Sequence, residues 1–138
     1  VNNFFVKTFE IPIYCADVIL VIHEDFEEID EKYKLELQDE FGDSPNNAMA
    51  ITHVNSDEKG KLEIYILLKP SCLDIDTVAH EILHVINWIC VEKGMEHDIN
   101  NDESLAYLQG YIMGKVGSAI GTYIEKNKID WRKFLMVK

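Results

Sequence analysis

The most constraining stretch of this chain is His80-Glu81-Ile82-Leu83-His84, set inside a segment whose apolar residues recur at helical spacing. Residues four apart on a helix lie on one face, so both imidazoles can point at one spot. Two neutral imidazoles at that spacing supply half of a tetrahedral zinc site. The glutamate between them can sit beside the metal without binding it and take a proton from a metal-bound water. The pentapeptide therefore demands a helix, and it predicts a further ligand, a cleft and a scaffold that holds both.

The segment around it satisfies the first demand. Asp74 or Asp76 is placed to cap a helix that runs to about Lys93, with Gly94 as its stop. Val78, Ile82, Val85 and Ile89 form one apolar stripe, widened by Leu83, Ile86 and Cys90. His80, His84 and Asn87 make a separate polar strip, the pattern of an interior helix arranged around a cleft or ligand.

The flanking chain reads as strands, then helices. Asn3 to Ile11 is a strand or extended arm ending at Pro12, and Ala16 to Ile22 is an apolar run suited to a buried strand. Glu24 to Glu40 reads as a helix, with Phe26, Ile29, Tyr33 and Leu37 on one side, closed by the turn-rich 41–47 segment. Ala48 to Val54 and Leu62 to Leu68 read as a hairpin around the polar 55–60 loop. The second of these is the more apolar, which places it inside the sheet and the 48–54 strand at an edge. These elements predict an α+β fold in one domain spanning 1–138: a small mixed twisted sheet packed on the histidine helix and on a second helix.

That second helix follows a short polar connection, Met95 to Asn100. Asn100 or Asn101 is its expected cap, and Asp102 and Glu103 fall in its first turn. Gly110, Gly114, Gly117 and Gly121 recur on one face at spacings of four, three and four. Each mid-helix glycine costs about 1 kcal/mol, so four in register predict that another backbone packs close there; a break near Gly117 is the alternative. Ser104 to Ile124 is long and apolar, but a mid-span Lys115 is costly in lipid, and the expectation is a helix outside the membrane. Residues 126–138 form a mixed tail in which Trp131 and Phe134 can pack back.

Charge and cysteine content narrow the partners. The formal net charge is -12, which repels phosphate backbones and argues against nucleic acid while accommodating polypeptides. Three cysteines, Cys15, Cys72 and Cys90, without C-x-x-C spacing predict free thiols in a reducing cytoplasm. Val1 to Glu10 has neither the basic start nor the long apolar run of a signal peptide.

A catalytic zinc keeps three protein ligands and an open position. Glu103 is the expected third ligand, because antiparallel packing of the second helix would return its first turn toward the histidines. Cys90, Asp102 and His97 are the alternatives, with Cys90 reading better as a core thiol and Asp102 as a cap or supporting residue. Tyr107, one turn beyond Glu103, is a candidate donor to a developing oxyanion, with Tyr111 one turn further. Asn87 is a candidate partner of a ligand histidine, while His23 and His53 read as structural or solvated.

His80-Glu81-Ile82-Leu83-His84 followed by Asp102-Glu103-Ser104-Leu105-Ala106-Tyr107 resembles the gluzincin pattern H-E-x-x-H then E-x-x-A-Y. It is most similar to small metallopeptidases encoded by bacteriophages, over residues 74 to 112. The resemblance implies a minimal zincin-like fold and a Zn2+ cofactor held by His80, His84 and Glu103. It also implies Glu81 as general base, a polypeptide substrate and a host cytoplasm. The competing expectation is a zincin-fold protein-binding module that keeps its zinc without cleaving anything.

Overall fold

The computed structural model describes residues 4–37, 42, 44–57 and 59–136. Four strands of seven residues form one mixed sheet: β1 (Phe5–Ile11), β2 (Ala16–Ile22), β3 (Ala50–Ser56) and β4 (Leu62–Leu68). Their order is β1-β2-β4-β3. β2 and β4 run parallel at the centre, and β1 and β3 flank them antiparallel. The fold is α+β, as the sequence predicts.

Burial on two sides explains the unbroken apolar runs of the central strands. Val18, Leu20, Ile22, Ile64, Ile66 and Leu68 face one core, and Ile19, Val21, Tyr65 and Leu67 face another on the opposite side. The second core is closed by α1 (Phe26–Tyr33), through Phe26 and Ile29. This helix is shorter than the Glu24–Glu40 expected. Lys34 takes a left-handed conformation at φ 54°, which ends the helix, and the Asp30 carboxylate accepts from the Leu37 amide at 3.2 Å. Leu35 and Leu37 are buried all the same, while the rest of the expected helix, 38–40, lies outside the described residues. β3 likewise starts two residues later than the expected Ala48, because a short 3-10 turn at Pro45–Asn47 precedes it.

The first core is closed by two long helices, α2 (Ile75–Lys93) and α3 (Asp102–Lys126). Asp74 caps α2, accepting from the Thr77 amide at 3.0 Å, and Gly94 ends it at φ 65°. Both boundaries match the expectation. α3 is unbroken through Gly117, and a short α4 (Trp131–Leu135) follows. Among the described residues, no helix is long and apolar enough to cross a membrane.

The directions of α2 and α3 follow from their contacts. On α3, Tyr123 meets Phe5, whereas Tyr111 meets Phe9 and donates its hydroxyl to the Glu10 carbonyl at 2.7 Å. So α3 runs against β1 and lies over the β1 side of the sheet. Thr77 shares a recess with Ala50, and Glu81 is bonded to Thr52, so α2 runs along β3. The two helices are therefore antiparallel and cover opposite halves of the sheet.

One packing expectation is corrected. The face carrying Gly110, Gly114, Gly117 and Gly121 does not receive another backbone: a Cβ built at any of them meets nothing within 4 Å. The apolar stripe of Leu105, Leu108, Ile112 and Val116 holds α3 to the core, and the glycines occupy the outward side.

Candidate metal centre

The Val78, Ile82, Val85 and Ile89 stripe fixes the rotation of α2 on the sheet. That rotation leaves His80 and His84 exposed and turns Glu81 inward, where it is only 5% accessible. The two Nε2 atoms stand 3.1 Å apart, with the rings edge to face. Two nitrogens bound tetrahedrally to one zinc at ordinary bond lengths would be about 3.3 Å apart, close to this separation, which equally suits a hydrogen bond between the two rings. His80, Glu81 and His84 each offer one ligand atom, all within 4.8 Å of one another. His80 and His84 supply two imidazole nitrogens of the kind zinc accepts, with the Glu81 carboxylate beside them.

Glu81 is held from the sheet. Thr52 Oγ1 lies 2.9 Å from Glu81 Oε1 and 3.3 Å from the Glu81 carbonyl, both of which can accept from it. The remaining oxygen, Oε2, is 3.7 Å from His80 Nε2. A buried carboxylate needs such a partner, because leaving it unbonded costs several kcal/mol on the order of a lost charged hydrogen bond. Met49, Ala50, Asp76, Thr77, His80 and Glu81 line an open cleft beside the pair. β3 is an edge strand of the sheet, and this cleft lies beside it.

Thr52 is the site residue that sequence reasoning missed. Its signal was present: strand alternation puts it on the same side as Ala50, one polar group on a side otherwise small and apolar.

Glu103 is not part of the three-residue group. α2 continues nine residues past His84, about 13 Å along its axis, before the chain turns. Glu103 is exposed, on the helical side opposite the Leu105–Leu108 stripe. Tyr107, one turn on, is also directed elsewhere: it lines a groove with Ile11, Pro12, Ile13 and Tyr14 near the β1–β2 turn, as does Tyr111. Asp102 and His97 are exposed, and Asn87 stands exposed further along the histidine strip.

The remaining candidates match their structural readings. Cys90 is buried, and burial pushes its thiol pKa up. His23 is buried against the Phe4 ring and bonded to Glu28 at 3.0 Å, and His53 is bonded to Asn55 at 3.1 Å. No family model, curated protein or solved structure matches this chain.

Proposed function

We propose that this chain is a zinc-dependent peptidase in which His80 and His84 hold the ion and Glu81 is the general base. The observation that carries the reading is the pair of Nε2 atoms 3.1 Å apart beside a buried carboxylate whose Oε1 is bonded to Thr52 and whose Oε2 faces His80. Bound zinc would supply an acidified water and polarise the scissile carbonyl. Thr52 holds Glu81 Oε1, which leaves Oε2 on the histidine side to accept the proton of the attacking water. An extended polypeptide would run past the cleft between Met49 and His80, alongside the edge strand β3. The resemblance to small phage-encoded gluzincins supports the same chemistry. Glu103 is the third ligand that the resemblance implies and would complete a His2Glu set.

A second reading, a zincin-like binding module that keeps the ion without hydrolysis, is favoured by one observation. Glu103 is absent from the His80–Glu81–His84 group, and Tyr107 lines a separate recess beside the β1–β2 turn. One comparison separates the two readings: metal content and peptide-library cleavage of the wild type against Glu81→Gln. Equal zinc with cleavage lost in the variant supports the peptidase. Equal zinc with no cleavage by either protein supports the binding module.

A further inference from the structure

The cleft beside the histidine pair holds one charged group that the reading above does not use. Asp76 lines it together with Met49, Ala50, Thr77, His80 and Glu81. It stands four residues before His80, so the two side chains share a face of α2, about 6 Å apart along the axis. The cap of α2 is Asp74, which accepts from the Thr77 amide, so the helix end does not take up the Asp76 carboxylate. Asp76 is exposed, and among the described residues no lysine, arginine or histidine pairs with it. The next acid on α2 is Glu81, which is buried, and no other follows before Glu92. Asp76 is therefore the one exposed carboxylate that α2 brings to the cleft. Met49, 53% exposed, gives the same cleft an apolar wall. A carboxylate beside an apolar wall matches a side chain with an aliphatic stem and a cationic head, which is lysine or arginine.

We propose that Asp76 selects polypeptides carrying lysine or arginine next to the bond presented to His80 and Glu81, with the side-chain stem lying on Met49. The selection rests on the reading that this cleft takes a polypeptide, and it is read by binding as well as by cleavage. The probes are labelled Ala-Ser octapeptides with one central lysine, norleucine or glutamate, mixed with the zinc-loaded protein. Fluorescence anisotropy reports binding and mass spectrometry reports cleavage. The lysine probe is expected to bind about fivefold tighter than the norleucine probe, the scale of an ion pair that faces water, and the glutamate probe to bind weakest. Asp76→Asn is expected to erase the preference for lysine over norleucine at unchanged zinc affinity, and Asp76→Lys to favour glutamate over lysine. The net charge of -12 attracts any cationic peptide, so Glu92→Gln, which removes the same charge elsewhere on α2, is expected to keep the preference. Equal binding of the three probes, no binding of the lysine probe, or an unchanged preference in Asp76→Lys would overturn the proposal. Selective binding with no probe cleaved would uphold Asp76 and sink the peptidase reading, whereas cleavage without preference would do the reverse.

Discussion

Thr52 Oγ1 lies 2.9 Å from Glu81 Oε1, and that bond ties an edge strand to the buried acid of the histidine helix. Replacing Thr52 with valine keeps the shape and removes the donor. The expected cost is about 1–2 kcal/mol in urea unfolding, since a buried carboxylate loses a partner. Zinc affinity should change little, because neither histidine touches Thr52. If the variant cleaves peptides as well as the wild type, Thr52 does not position the base.

The end of α2 makes Glu103 a useful discriminator. With its side chain outside the histidine group, Glu103→Gln should leave zinc affinity within about threefold of wild type. A drop of about a hundredfold in a competition titration against a chromophoric chelator would mean that Glu103 does ligate the metal in solution.

Glycines on the two helices should respond in opposite directions. Gly114 and Gly121 lie in regular helix with open space around a Cβ, so alanine at each is expected to stabilise by about 0.5–1 kcal/mol. Gly94 sits at φ 65° as the stop of α2, so alanine there is expected to destabilise by about 1 kcal/mol. Thermal melts of the single variants check both signs.

Asp25 gives the fold an acid-sensitive cap. It accepts from the Asn46 side chain at 2.9 Å and from the Glu27 and Glu28 amides at the start of α1. The Asn46 bond is the main cause holding its carboxyl below the ordinary aspartate value of 3.8. A lowered folded-state pKa gives stability that is present above the unfolded value and lost as pH falls through the folded one. Wild type should therefore lose stability relative to Asp25→Asn as pH drops below 3.8, with the two curves differing by a constant amount at neutral pH. Parallel curves through the acid range would show that Asp25 does not contribute this dependence.

Where sequence reasoning succeeded, local and tertiary preferences agreed. Leu62 to Leu68 is apolar on both sides because it is covered on both sides, and its bounds were legible to the residue. Asp74 and Gly94 bracket α2 because a side-chain acceptor and a left-handed residue are what helix ends require. What was not legible depends on how one element packs against another. Glu103 lies on a different helix from His80 and His84, and no local preference fixes how close two helices bring their side chains. The α3 glycines read as a close-packing surface, but nothing in their spacing says which side of the helix the core takes. The stripe of Leu105, Leu108, Ile112 and Val116 decides that.

Zinc titration of the purified chain against its His80→Ala and His84→Ala variants, followed by calorimetry, tests the metal centre most directly. The expected result is one zinc per chain for the wild type and an affinity loss of about a hundredfold or more in each variant. Wild type that binds no zinc, or histidine variants that bind it as tightly as wild type, would contradict a metal held between His80 and His84.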